Sequence, residues 1–358
     1  MKVHNFSAGP CILPPPVLQE ASEAIQNFDD LNLSLIEISH RSKNFVAVME
    51  EAQSLVRELM EVPDGYDILF LQGGASLQFV MTAFNLMKAE NGKAAYTDTG
   101  SWANKAIKEA KRLGEVNVVG SSKDQNYNYI PKGFTIPQDA DYFHCTSNNT
   151  IFGTQIKEFP ATDVPVVCDM SSDIFSRAIN VSDFDLIYAG AQKNMGPAGA
   201  TLVIVKRDTL GHTGRDIPAY LDYQVHADKD SMFNTPPVFS VYVSMLTLRW
   251  LKANGGISWI AEQNRQKAEL IYNEIDRNSL FEGTAATEDR STMNACFVPK
   301  EGVETSEFDR LWKEANISGI NGHRSVGGYR ASMYNALPLE SVQTLVNVMQ
   351  QFEKQYGG

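Results

Sequence analysis

An α/β fold is predicted for this chain: a large domain on a mainly parallel seven-stranded sheet, and a smaller α+β domain near the C-terminal end. Seven short apolar runs typical of strands occur in the first two thirds of the sequence, with helix-like segments among them. Such alternation favours a parallel sheet. The pattern changes near Ile257, and 358 residues exceed the length over which one hydrophobic core keeps growing.

The strand-like runs account for the predicted sheet. In chain order they are "YDILFLQ" (66–72), "GKAAYTD" (92–98), "EVNVVGS" (115–121), "ADYFHCT" (140–146), "VPVVCD" (164–169), "FDLIYAGA" (184–191) and "GATLVIVKR" (199–207). Helical segments follow the first two runs, at 76–90 and 101–114. Before them, the proline-rich segment 11–25 predicts a turn that begins a helix.

The remaining residues predict the smaller domain. A long helix is expected over 257–277, a strand over 292–299, and helices over 305–316 and 339–357. We therefore assign a large domain to 12–255 and a small domain to 256–358, and the N-terminal residues 1–11 are assigned to the small domain.

Composition narrows the classes of function. A net charge of −12 and a pI near 5.0 argue against nucleic acid or an anionic membrane surface as partners. The four cysteines form no CxxC pair, and no metal site is predicted from their spacing to the histidines. No apolar run approaches a membrane span, and no apolar leader is seen. A cytoplasmic protein is expected.

The segment "IYAGAQKNMGPAGATLVIV" (187–205) sets a lysine, Lys193, among small and β-branched residues at the end of a predicted strand. A lysine stripped of water loses preference for its charged form, and such an amine suits nucleophilic chemistry. The alternative is a loop lysine that reaches out to solvent.

A carboxylate is predicted at the same edge of the sheet. Asp169 directly follows the strand "VPVVCD", and the strand that ends near Lys193 is the next along the chain. The carboxyl ends of parallel strands form one edge, where ligands bind. A carboxylate buried there needs a cationic partner, although Asp169 could instead cap the following turn.

Three further features belong to strand ends. "LFLQGGASLQF" (69–79) is a strand, a Gly-Gly turn and a helix start, whose free N–H groups and Ser76 hydroxyl can bind an anion. Trp102 could stack on a planar ring, and Thr150 could donate a hydrogen bond. Each feature also has a purely structural interpretation: 69–79 could be a tight turn, Trp102 a core residue, and Thr150 part of a polar turn. A lysine, an acid and a phosphate-binding helix start together match the needs of pyridoxal phosphate.

Six segments in this order resemble the phosphoserine aminotransferase family, of the class V aminotransferase group within the fold-type I enzymes that depend on pyridoxal phosphate. They are "NFSAGP", "EISHRSKNF", "LFLQGGASLQF", "YAGAQKNMGPAG", "FNTPPVFSVY" and "GHRSVGGYRASMYNA". They span positions 4 to 336, nearly the whole chain.

The resemblance implies roles around the cofactor. Lys193 would bind it covalently, Asp169 would pair with the pyridine nitrogen, and Trp102 would cover the ring. The resemblance further implies that the cofactor phosphate and ring atoms are contacted by Ala75, Ser76, Thr150 and Gln192. Asn234 and Thr235 would reach the phosphate from the second subunit of a homodimer with shared active sites.

The resemblance also implies the substrates. Arg330 would bind the α-carboxylate. The substrate phosphate, or the distal carboxylate of glutamate, would be bound by His40, Arg41, His323 and Arg324. The expected reaction passes the amino group of L-glutamate to 3-phosphohydroxypyruvate, giving O-phosphoserine and 2-oxoglutarate in serine biosynthesis. Whether 4-phosphohydroxy-L-threonine is a second product is left open.

Two departures from the family pattern bear on the site. Some members carry Arg where this chain has Ser76, and others carry Ser where this chain has Ala8. Rival functions stay open: a class V enzyme with another substrate, such as an alanine–glyoxylate transaminase or a cysteine desulfurase, an aldolase-type Schiff-base lysine, and a non-catalytic binding protein.

Overall fold

Fourteen strands and nine α-helices are present in the computed structural model, which describes residues 3–357. The strands are β1 (His4–Asn5), β2 (Tyr66–Leu71), β3 (Lys93–Asp98), β4 (Glu115–Ser121), β5 (Tyr142–Thr146), β6 (Asn148–Asn149), β7 (Thr154–Gln155), β8 (Val166–Asp169), β9 (Leu186–Gly190), β10 (Thr201–Lys206), β11 (Phe281–Gly283), β12 (Asn294–Pro299), β13 (Ile317–Ser318) and β14 (Tyr329–Ser332). The helices are α1 (Pro15–Gln26), α2 (Lys43–Leu59), α3 (Gly74–Leu86), α4 (Ser101–Ala110), α5 (Tyr223–Ala227), α6 (Val238–Ala253), α7 (Gly256–Arg277), α8 (Ser306–Glu314) and α9 (Leu339–Tyr356).

The central sheet has seven strands in the order β2-β10-β9-β8-β5-β3-β4. The pairs from β9 to β4 are all parallel, while β10 is antiparallel to both β2 and β9. Only β10 therefore runs against the others. The predicted fold class, a mainly parallel seven-stranded sheet, is confirmed.

Burial on both faces explains why these runs are almost entirely apolar. In β9 every residue is buried. Ile187 and Ala189 belong to the core that includes α1, α2 and α6, whereas Tyr188, on the opposite face, belongs to the core that includes α3 and α4. A strand covered on both faces needs apolar side chains at successive positions rather than at alternate ones.

The connections differ from the predicted alternation. Helices follow β2 and β3, but the described chain has no α-helix between residues 122 and 200. Pro131, Gly133 and Pro137 lie in the connection from β4 to β5, and proline and glycine interrupt helices. The strands β5, β8 and β9 are therefore connected without α-helices.

A second core lies among α7, α8, α9 and the antiparallel sheet β11-β12-β14. Phe6, near the N-terminus, is fully buried in this core, and β1 pairs in parallel with β13. The division between residues 255 and 256 stays a prediction. Within residues 3–357, no helix is long and apolar enough to cross a membrane.

Candidate active site

A cavity of about 340 Å³ lies where β5, β8 and β9 end at one edge of the central sheet. Side chains from both ends of the chain meet in it. The sequence-predicted residues that line it are Ala75, Ser76, Trp102, Thr150, Asp169, Gln192, Lys193, His323 and Arg330. The topology thus brings together residues that are more than 250 positions apart.

Lys193 lies in the turn that follows β9, with its amine inside the cavity. Its Nζ donates a hydrogen bond to Oγ1 of Thr150 at 2.8 Å. Burial lowers the pKa of Lys193 from 10.5 to about 8, because the charged amine has lost water. The carboxylate of Asp169 opposes this shift, and the guanidinium of Arg330 adds to it. The amine is therefore partly neutral near physiological pH.

Asp169 is the last residue of β8 and is 4% exposed. Burial raises the pKa of its carboxyl above the ordinary value, while hydrogen bonding from Ser171 and the charge of Lys193 counteract that rise. Oδ1 accepts the backbone N–H of Ser171 at 2.9 Å. A buried carboxylate of this kind has a strong preference for a cationic partner.

The start of α3 forms the anion-binding part of the cavity. Gly73 precedes the helix with a φ of +86°, a conformation that glycine adopts at little cost. No side chain within residues 3–357 caps this helix, so the N–H groups of its first turn are available to a ligand. Ala75 and Ser76 lie in that turn and line the cavity.

Trp102 is the second residue of α4, which begins three residues after the end of β3, and it lines the cavity. The ammonium of Lys105, one turn further along the helix, lies 4.1 Å from the ring centroid. This cation–π contact holds the indole at the cavity wall.

Arg330 and His323 come from β14 and the loop that precedes it. Arg330, on β14, donates from Nη1 to the carbonyl of Thr150 at 3.4 Å, and its buried Nε has no partner in the described part of the chain. Burial lowers the pKa of His323, and the charges of Arg330 and Arg324 lower it further. Arg324 itself is exposed and does not line the cavity.

Besides Arg324, four predicted site residues lie outside the Lys193 cavity. Arg41 lines a separate hollow with Lys229 and Phe233, and His40 precedes it in the same turn. Asn234 and Thr235 are exposed and lie in a third hollow. The described chain does not bring these four side chains into the cavity of Lys193.

Several cavity residues were missed from the sequence. Thr146 ends β5, and Ser171 and Ser172 follow β8, so the position of polar residues at strand ends could have identified them. Gly9 is different. A Cβ at Gly9 would lie 3.5 Å from Cγ of Lys193, a contact between distant parts of the chain that no local pattern predicts.

The chain is similar to known aminotransferases along its whole length. The profile of the family Aminotransferase class-V matches residues 3–345. A phosphoserine aminotransferase of Flavobacterium psychrophilum is 66% identical over 354 residues, 99% of each chain. The solved phosphoserine aminotransferase from Bacillus circulans subsp. alkalophilus has a TM-score of 0.95 and 42% identity over 99% of both chains.

A further solved relative is described as binding the cofactor. The pyridoxal-phosphate-bound phosphoserine aminotransferase from Trichomonas vaginalis has a TM-score of 0.92 at 35% identity, covering 98% of this chain and 100% of that one. The class and this relative identify pyridoxal phosphate as the cofactor. The uncapped helix start, the buried Asp169 and the desolvated amine of Lys193 fit that group. The chain belongs to the phosphoserine aminotransferase family, within the class-V aminotransferases.

Proposed function

We propose that this protein transfers the amino group of L-glutamate to 3-phosphohydroxypyruvate, giving O-phosphoserine and 2-oxoglutarate. One observation carries the proposal: a single cavity contains an amine of lowered pKa, a buried carboxylate and a guanidinium with an unpartnered Nε. The names of full-length relatives support the same activity.

The cavity residues divide into those that hold the cofactor and those that act on the substrate. When bound, pyridoxal phosphate supplies an aldehyde that carries the amino group and a ring that accepts the electron pair of the substrate α-carbon. Asp169 would face the ring nitrogen. The N–H groups of Ala75 and Ser76 would hold the phosphate, and Ser76 supplies no positive charge where some relatives have Arg.

The remaining contacts to the cofactor come from three side chains in the cavity wall. Trp102 would cover one face of the ring, while Gln192 and Thr150 would reach the phosphate and the ring substituents. Thr150 already accepts a hydrogen bond from Lys193, so its hydroxyl fixes where the amine lies.

Lys193 is the residue that moves the proton. Its amine is neutral in part near pH 8, and Nζ then takes the proton from the substrate α-carbon. Thr150 accepts the Nζ hydrogen bond and keeps the lone pair in the cavity. Arg330 lines the cavity and would bind the α-carboxylate with its planar fork of donors.

The substrate phosphate needs further cations. We propose that His323 and Arg324 contact it from the same subunit, and that His40 and Arg41 reach it from the second subunit of a homodimer. Asn234 and Thr235 would extend to the partner's cofactor phosphate. The residues assigned to the second subunit lie outside the Lys193 cavity of their own chain, and this placement supports a shared site. They are His40, Arg41, Asn234 and Thr235. We also propose a cytoplasmic location and a two-domain chain divided near residue 255.

A panel of half-reactions tests the function. Phosphoserine and glutamate should each convert the bound cofactor to its amine form, seen as loss of visible absorbance, and alanine and unphosphorylated serine should do so far more slowly. Rapid use of serine or alanine would contradict a phosphate-specific site and favour another class V substrate. No change with any amino acid would contradict transamination altogether.

The lowered pKa of Lys193 predicts how cofactor attachment depends on pH. Only the neutral amine attacks an aldehyde, so attachment to cofactor-stripped protein should accelerate as pH rises through about 8 and then level off. The rate of absorbance change on adding pyridoxal phosphate measures it. Lys193→Ala is the control and should give no borohydride-fixed label. A midpoint near 10.5, the ordinary value, would contradict the burial of this amine.

Replacing the buried acid should slow the reaction strongly. We expect Asp169→Asn to lower kcat of the glutamate half-reaction by at least about a hundredfold, because a neutral amide cannot stabilise positive charge on a ring nitrogen. Asp289→Asn is a matched control, since Asp289 is also buried at 3% exposure but does not line this cavity. A loss within about twofold in Asp169→Asn would rule out the pairing.

Two arginine variants should separate phosphate from carboxylate binding. Arg324→Ala should lower kcat/KM for phosphoserine, and the activation free energy calculated from it should rise by about 1.5–3 kcal/mol, a value typical of a lost charged hydrogen bond. The rise for glutamate should be smaller. Arg330→Ala should raise the same activation free energy by about 2–5 kcal/mol for both substrates, because each carries the same α-carboxylate. Equal losses for the two substrates in Arg324→Ala would remove Arg324 from the phosphate site.

A further inference from the structure

Helix α7 has two polar residues on its buried face. Asn264 and Lys267 are each 1% exposed, three positions apart, and neither lines the Lys193 cavity. Nζ of Lys267 donates to the carbonyls of Met333 and Tyr334, each at 3.0 Å. Nδ2 of Asn264 donates to Oδ1 of Asn335 at 2.9 Å. Both side chains therefore hold the segment that follows β14.

Asn335 connects this segment to the turn of Lys193. Its backbone N–H donates to Oδ1 of Asn194 at 2.9 Å, and its own Nδ2 donates to the carbonyl of Phe175 at 2.8 Å. Nδ2 of Asn194 donates to the carbonyl of Ile174 at 2.9 Å. Asn194 and Asn335 are each 5% exposed. We call Asn194, Asn264 and Asn335 the asparagine bridge.

The bridge joins the chain segments that carry the two cations of the cavity. Asn194 directly follows Lys193, in the turn after β9 of the central sheet, and Asn335 lies three residues beyond the end of β14, which carries Arg330. Next to Asn335, the hydroxyl of Tyr334 donates to the carbonyl of Ala8, another cavity residue, at 2.8 Å. The relative position of Lys193 and Arg330 thus depends on a few buried hydrogen bonds.

We propose that Asn194 and Asn335 are positioning residues, which fix Nζ of Lys193 relative to the guanidinium of Arg330. A substrate bound by its α-carboxylate at Arg330 then presents its α-carbon to Nζ. This inference rests on the proposed function, because it assigns Arg330 to the carboxylate and Lys193 to the proton. A displacement of about 1 Å between such groups is enough to slow catalysis markedly.

The hydrogen bonds lie at buried positions, since Asn194 and Asn335 are each 5% exposed. In Asn194→Ala, the N–H of Asn335 loses its acceptor and the carbonyl of Ile174 loses a donor. Buried groups left without partners force a local rearrangement. The turn with Lys193 and the segment after β14 would then separate or shift.

The test compares Asn194→Ala and Asn335→Ala with Asn278→Ala in the cofactor-loaded enzyme. Asn278 is a matched control: it is 1% exposed, donates to Glu274 and Met349, and lies in the second core away from the cavity. Four quantities are measured: the thermal midpoint, the pH midpoint of the cofactor's visible absorbance, and kcat and KM for glutamate. The absorbance midpoint reports on the surroundings of Lys193 without turnover.

We expect all three variants to lower the thermal midpoint. Only the two bridge variants should also shift the absorbance midpoint and raise KM for glutamate about tenfold or more, the effect of one lost buried hydrogen bond. Asn194→Asp, which keeps the acceptor for the N–H of Asn335, should retain more of the wild-type KM than Asn194→Ala.

Bridge variants that behave like Asn278→Ala, with changed stability alone, would overturn the proposal. Failure of the proposed function would look different, since the wild type itself would not react with glutamate. In that case the absorbance midpoint still tests the bridge. If Asn194→Ala fails to fold, Asn335→Ala and Asn194→Asp carry the same comparison.

Discussion

Removal of water from the amine of Lys193 is the interaction on which the rest of the site depends. A buried ammonium is unfavourable, and its pKa falls to about 8 even though the carboxylate of Asp169 pulls in the opposite direction. The same burial raises the pKa of Asp169. Each group is thus kept away from its ordinary ionisation by lost hydration, and the presence of the other limits the shift. A ligand that brings a ring cation to Asp169 and an aldehyde to Lys193 satisfies both.

This arrangement needs support beneath the cavity. Asp173, one turn beyond Asp169, is 4% exposed and accepts hydrogen bonds from Ser147, Gln155 and Arg177. Ser147 also donates from both its backbone N–H and its hydroxyl to the carbonyl of Asp169. The ends of β5 and β8 are therefore held together by hydrogen bonds in addition to the strand pairing. Such a network keeps the carboxylate of Asp169 in place before any ligand arrives.

The contributions of the two cores are unequal in kind. The central sheet supplies the amine, the carboxylate and the open helix start, which we assign to the cofactor. Strand β14 and the loop before it, next to the second core, supply Arg330 and His323, which we assign to the substrate. In this assignment, the residues that bind the cofactor lie at the strand ends of the central sheet, and those that recognise the substrate lie next to the second core. The asparagine bridge would then be the contact that keeps the two parts in register.

What the sequence by itself determined follows from local physics. Apolar runs, helical periodicity and the glycine turn before α3 depend on nearby residues. The seven strands could therefore be predicted, and the candidate residues Asp169, Lys193 and Ser76 could be placed at one sheet edge in advance. The missing helices after β4 were only partly foreseeable from Pro131 and Pro137. Tertiary structure alone decided that Gly9 packs on Lys193, that Arg330 enters the cavity while Arg324 stays outside, and that Asn335 binds Asn194. These contacts join residues 140 or more positions apart, and their geometry depends on how two separately packed cores meet, which no local pattern encodes.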